Sequence, residues 1–237
     1  MNGALKSVYP GIRQAGRVSF GGNQRQLKSV VLQHCGCGVV ATLDLIRYLH
    51  LNHPDCRTDF FAGVADTPDL PEPVYDLCAQ RMRHFVPVLY PIGSTGFSLA
   101  AGLNRYFKRY NVPLKAAWGV SKDRIWQEIE AMLEQDLPVI LSVGNQFPVF
   151  WKKKGAQLYR RSGEALKQSV HVHAHYVTVV GMDDAWLRIS SWGQEYYLAR
   201  EEFLRYRDKE SLKLLCNIVC LRHILGKSFR KIRGDGI

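Results

Sequence analysis

Cys35 and Cys37 stand one residue apart in "QHCGCGVVATLDLIRYL" (Gln33–Leu49), each followed by glycine, directly before a run that reads as a helix. A helix N-terminus presents unpaired N–H groups and partial positive charge, which favour a thiolate over a thiol. A cysteine placed there is a candidate nucleophile, and a nucleophilic cysteine needs a base from elsewhere in the chain. The eight histidines are at 34, 50, 53, 84, 171, 173, 175 and 223. His175 opens the apolar run "HYVTVVGM", so a strand would hold its imidazole at the sheet's end, within reach of a thiol on a facing helix tip. One turn and one strand later comes "ISSWG". There Ser190 would sit on the neighbouring strand to orient the imidazole, and Trp192 would cover that hydrogen bond. Asp183 and Asp184 offer charge nearby, but their position reads as turn chemistry.

The elements that must position these groups follow from periodicity. Val39, Val40, Leu43, Ile46 and Leu49 recur at helical spacing until Asn52-His53-Pro54 stops the run. Further helices are expected at 74–85, 98–110 and 123–135. Strands are expected at 114–118, in "PVILSV", and then as a meander over 175–182, 186–192 and 195–199. "REEFLRY" reads as a helical turn, and "LKLLCNIVCLRHI" as a closing strand. Residues 144–169, with Phe147, Phe150, Trp151 and Tyr159, form a long polar and basic stretch that is either a lid or a hairpin insertion. Helices dominate the first half and strands the second, which is an α+β order with helices packed on an antiparallel sheet.

Composition narrows the classes. A chain of 237 residues, 46% hydrophobic and 22% charged, has the make-up of an ordinary globular protein. No apolar run is long enough for a membrane span and no secretory signal is visible, which points to the cytoplasm. Six cysteines without a CxxC pair argue for reduced thiols rather than a disulfide framework or zinc knuckle. The formal charge of +11 is concentrated in Lys152–Lys154, Arg160–Arg161 and the tail. It fits a solvated surface; nucleic acid is not the expected partner, because no nucleic-acid motif accompanies it. His171, His173 and His175 alternate as metal ligands on one strand face would, so a zinc site is a rival reading.

The Cys-Gly pair with Ala three positions after the glycine, then "HYVTVVG", then a strand ending in "SWG", resembles papain-like cysteine peptidases. The likeness is nearest the bacterial branch typified by the leader peptidases of bacteriocin exporters. "LPVILSV" before the histidine and "ISSWGQEYYLAREEF" after it are similar to that branch. "FGGNQ" with "GCG" is similar to a group of uncharacterised Firmicutes proteins. The resemblance covers roughly residues 18–205.

It implies a papain-like domain over 1–237, mainly helical over 17–110 and mainly β over 111–225, with a basic tail at 226–237. It makes Cys37 the nucleophile, because Cys37 rather than Cys35 precedes Gly-x-x-Ala, and His175 the general base and acid. Cys35 is then structural or redox-modulating. An oxyanion-hole glutamine is implied shortly before the cysteine. Gln24 and Gln33 both qualify, and Gln24 matches "GGNQ". Gly36, Trp192 and Tyr176 would line the substrate cleft. Ser190 departs from the pattern, since papain-like enzymes carry Asn there and the exporter peptidases Asp; a hydroxyl stabilises an imidazolium poorly. The expected activity is cleavage of a peptide or protein amide through a thiolate–imidazolium pair, without metal or cofactor, and with acyl transfer to an amine open to the same apparatus. The alternative is a peptidase fold that binds without hydrolysing.

Overall fold

A computed structural model describes residues 3–121, 124–144 and 155–224. In chain order the elements are β1 (Gly3–Ala4), β2 (Gly11–Gln14), β3 (Arg17–Val18), α1 (Val30–Cys35), α2 (Cys37–Asn52), β4 (Asp69–Pro71), α3 (Glu72–Met82), α4 (Gly96–Arg109) and β5 (Leu114–Trp118). They continue as α5 (Ile125–Glu134), β6 (Val139–Val143), β7 (Ala156–Ser162), β8 (Ala165–Val172), β9 (His175–Met182), β10 (Trp186–Ser191), β11 (Gln194–Ala199), α6 (Arg200–Lys209) and β12 (Ile218–His223). This is the expected α+β order.

Nine strands form one antiparallel sheet in the order β5-β12-β6-β9-β10-β11-β7-β8, with β1 also paired to β9. Since β10 occupies the other side of β9 and β6 reaches only Val179, the pair Gly3↔Met182 places β1 in line with β6. A small second sheet joins β3 and β4 to β2.

The helix α2 organises the core. Its apolar residues recur at helical spacing, and everything from Gly38 to His50 is buried. A helix apolar on every side belongs inside a core rather than on it. It lies against β9 and β6, and one continuous apolar cluster runs from it into both halves of the chain. Its polar side chains bond locally or tie down loops, although Arg47 Nε and Nη1 are buried without a hydrogen-bond partner. The Thr42 hydroxyl donates to the Gly38 carbonyl, Arg47 donates to the carbonyls of Ala65 and Thr67, and His50 accepts from the Thr58 N–H.

The break between α1 and α2 falls at Gly36, where a Cβ would lie 2.3 Å from the Leu32 carbonyl oxygen. Only glycine lets the second helix start so close to the last turn of the first.

Some elements differ from expectation. The segment "REEFLRY" extends into the ten-residue helix α6, and the closing strand is confined to Ile218–His223. Of the two readings for 144–169, the hairpin β7–β8 is the one formed over 156–172. Phe147, Phe150, Trp151, Lys152–Lys154 and the tail 226–237 lie outside the described residues. No helix among the described residues is long and apolar enough to cross a membrane.

Candidate active site

All six cysteines are unpaired, and Cys37 alone among them is not buried. It is the first residue of α2. His175 is the first residue of β9, and Ala174 before it adopts a left-handed backbone with φ of 48°. That conformation costs a residue with a Cβ of the order of 1 kcal/mol, so the chain accepts strain at the point where it aims the imidazole.

Cys37 and His175 line the same cavity, with Gln24, Tyr176, Ser191 and Trp192 around them. Its volume is about 10 Å³, which is room for one water. The two expected residues therefore open onto one cavity.

The imidazole is oriented by Ser191 rather than Ser190. His175 Nε2 lies 2.8 Å from Ser191 Oγ, whereas Ser190 Oγ donates to the Phe20 carbonyl at 2.8 Å. The cause is a β-bulge. Leu187↔Met182 and Arg188↔Gly181 set one register, and Ile189↔Val179 and Ser190↔Thr178 another, so Val180 is the extra residue on β9. Without the bulge Ser190 would share the face of Val179 and His175. With it, Ser190 turns to the face of Thr178, and Ser191 takes the place beside His175.

Trp192 closes the site. Its ring stacks on His175 with centroids 4.4 Å apart and planes 19° apart. Trp192 and Gly193 have φ of 48° and 72°, both positive, in the two-residue turn between Ser191 and its cross-strand partner Gln194. Positive φ at both central residues marks the type I′ hairpin, whose first position normally takes Asn, Asp or Gly. A tryptophan held there pays backbone strain to keep its ring over the imidazole.

The electrostatics bear on the expected ion pair. Burial pushes the Cys37 thiol up from its ordinary value, and the N–H groups of Tyr176 and Gly38 recover only part of the shift. His175, only 8% exposed, is pushed down to about 3, mainly by burial and further by the charges of Arg25 and His173. Both directions favour the neutral thiol and the neutral imidazole. A helix terminus stabilises an anion by about 0.3–1 kcal/mol, and desolvation opposes that contribution here.

The other expected residues separate. Gln24 lines the cavity, and its Nε2 donates to the Gln33 carbonyl at 2.9 Å, with the His34 carbonyl at 3.4 Å. Gln33 points elsewhere, its Nε2 donating to the Leu27 carbonyl, and it lines the neighbouring groove instead. Tyr176 lines the cavity and its hydroxyl donates to the Ser94 carbonyl. Gly36 lines neither cavity nor groove and serves the helix junction. Cys35 is buried with its thiol on the Pro91 carbonyl. Asp183 spends its carboxylate on the Ala185 and Trp186 N–H groups, at the far end of β9 from His175. The three alternating histidines do not share a strand: His171 is on β8, His173 in the connection and His175 on β9. Among the described residues no three His, Cys, Asp or Glu side chains are placed to hold a metal ion.

Asp44 was not apparent from sequence as a site residue. It lies two helical turns beyond Cys37 and lines the cavity. Its carboxylate accepts the Gly22 N–H and the Tyr75 hydroxyl, each at 2.7 Å, and the Tyr9 hydroxyl at 3.4 Å. Burial pushes it up to about 6 despite these donors. The Gly21-Gly22 pair is needed here. A Cβ on Gly21 would lie 2.2 Å from Ser190 Oγ, and one on Gly22 would lie 1.9 Å from the Tyr75 hydroxyl. The one sequence signal for Asp44 was an unmatched acid inside an apolar helix.

No family model, curated protein or solved structure matches this chain.

Proposed function

We propose that the chain is a thiol-dependent hydrolase of the papain-like type, acting on a peptide or related amide through Cys37 and His175. The carrying observation is the shared cavity. The one thiol that is half-buried rather than buried opens a buried helix and lines the same cavity as an imidazole whose Nε2 is held by Ser191, so the proposal gives Nδ1 the proton exchange. Trp192 shields that imidazole from water.

In this mechanism His175 Nδ1 takes the thiol proton as Cys37 Sγ attacks the carbonyl carbon, so the ion pair forms during attack rather than before it. The oxyanion is held by the Cys37 N–H and by Gln24, whose amide is fixed by its bond to the Gln33 carbonyl and keeps a loosely held second N–H. His175 then gives its proton to the leaving amine as the C–N bond breaks. Water, deprotonated by the same imidazole, cleaves the thioester and restores the thiol. An amine in place of that water would give acyl transfer.

A second reading, a peptidase fold that binds without cutting, is favoured by the uncharged Ser191 and by an imidazole held neutral at rest. Selective labelling of Cys37 alone does not separate the two, because the other five thiols are buried. The test is the pH profile of Cys37 alkylation by iodoacetamide, read by peptide mass mapping, alongside hydrolysis of a mixed peptide pool. An enzyme gives Cys37 alkylation at neutral pH that His175→Ala slows at least about tenfold, and cleavage that Cys37→Ala abolishes. A rate that rises only above the ordinary thiol range, is indifferent to His175, and comes with no cleavage, rejects the hydrolase.

A further inference from the structure

A groove of about 620 Å³ opens beside the catalytic cavity and shares Gln24, His175 and Trp192 with it. That volume is within the range of built ligand sites. Its charge is one-sided. Arg25, His34, His171 and His173 line it together with the neutral amides Asn23, Gln33 and Gln194, and no carboxylate is among the lining residues described. Arg25 sits 5.4 Å from the Trp192 ring centroid, at the mouth of the cavity. Arg160 extends the positive rim, its guanidinium 5.8 Å from the ring of Tyr196 on the groove wall.

We propose that this groove receives an extended peptide segment carrying an acidic side chain next to the bond that is cut, with Arg25 as its principal partner. The assignment rests on the hydrolase reading above and adds the substrate class to it.

Two observations favour a peptide. Val170, His171 and Val172 on the groove wall belong to β8, which among the described residues is the last strand of the sheet and pairs only with β7. Such an edge offers backbone N–H and C=O groups to an extended chain. A single-stranded nucleic acid would want open aromatic faces for its bases. Here Trp192 already carries His175 and Arg25, and Tyr196 carries Arg160.

The same arrangement couples binding to catalysis. Burial is the main cause opposing protonation of His175, and the charges of Arg25 and His173 add to it. A carboxylate seated between them offsets their part and makes the imidazole a better acceptor for the Cys37 proton. An acidic substrate therefore raises the basicity of the group that deprotonates the thiol, whereas a neutral one does not.

The experiment uses a positional-scanning library of N-acetylated octapeptide amides. It is digested by the wild-type and Arg25→Gln proteins, and separately captured on immobilised Cys37→Ala protein, with single-stranded DNA as competitor. Cleavage with Asp or Glu enriched about fivefold at one position near the cut, falling below about twofold in Arg25→Gln, supports the assignment. Cleavage without acidic preference overturns it and leaves the hydrolase standing. Capture of acidic peptides through Arg25 without cleavage supports the groove and removes the hydrolase. Neither cleavage nor capture of acidic peptides overturns the assignment, and so does DNA displacing captured peptide at physiological salt.

Discussion

The hydrogen bond between His175 Nε2 and Ser191 Oγ, 2.8 Å long in a buried site, makes Ser191→Ala the most informative substitution. It leaves a buried imidazole nitrogen without its hydrogen-bond partner, and that costs about 1–3 kcal/mol. If the bond also fixes the ring for proton transfer, the same energy appears in the barrier, and Cys37 chemistry slows by about 5- to 150-fold at 1.36 kcal/mol per factor of ten. The assay is the second-order rate of iodoacetamide alkylation at Cys37, with thermal unfolding measured on the same samples. Ser190→Ala is the matched control. It removes the bond to the Phe20 carbonyl, so it costs about 1 kcal/mol of stability and leaves the Cys37 rate within about twofold. Ser191→Asp supplies a carboxylate, which raises the His175 pKa by about 1–3 units from its depressed value and moves the onset of reactivity to higher pH with a faster plateau. Slowing by Ser190→Ala with no effect of Ser191→Ala would refute both the geometry and the role given to Ser191.

Asp44 and His175 make opposing contributions to the pH dependence of stability. Asp44 titrates near 6 when folded and near 3.9 when unfolded, so its contribution is full below the unfolded value and is lost as pH rises through 6. Asp44→Asn should therefore gain on the wild type by about 2–3 kcal/mol between pH 4 and 7 in urea unfolding, and a constant difference refutes the shift. His175 runs the other way: its depressed pKa leaves stability intact above the unfolded value near 6.5 and lost as pH falls, so His175→Gln should flatten the acid limb in the same measurement. Gly21→Ala combines a left-handed φ of 77° with a Cβ 2.2 Å from Ser190 Oγ, whereas Gly63→Ala has φ of 76° and open space. The first should cost about 2–5 kcal/mol and the second about 1 kcal/mol in thermal unfolding; equal costs would sink the packing argument. Trp192→Asn relieves the turn and uncovers the imidazole, so NMR titration should find the His175 pKa moved up toward its ordinary value; an unmoved value refutes the shielding role.

The sequence was legible where a segment has one dominant demand. Strands β5 and β9 run from the expected first residue to the expected last, because each is an apolar run bounded by turn residues. That Cys37 and His175 would line one cavity was legible because a helix tip and a strand start leave few places for either group. Elements on the surface hid themselves. Only Phe203, Tyr206 and Arg207 of α6 are buried, so its charged face masked its length, and β8 is exposed along nearly all of its eight residues. The exchange of Ser190 for Ser191 was not legible at all. "ISSW" offers two serines, and which one faces the histidine depends on a bulge at Val180 in a different strand. The helix-end argument for a thiolate was incomplete for a related reason, since it weighed a local dipole before the depth of burial was known.

The immobility of Cys37 has a practical consequence. Cys37 heads a helix buried from Gly38 to His50, so its sulfur cannot be shifted without repacking the interior around that helix. The opposite wall of the groove is an edge hairpin that gives the core only Ala156, Leu158 and Val172 and is exposed along most of β8. The groove can then drift, or be re-engineered by substitution, at the exposed positions of β7 and β8, while Cys37 stays where the interior has cemented it.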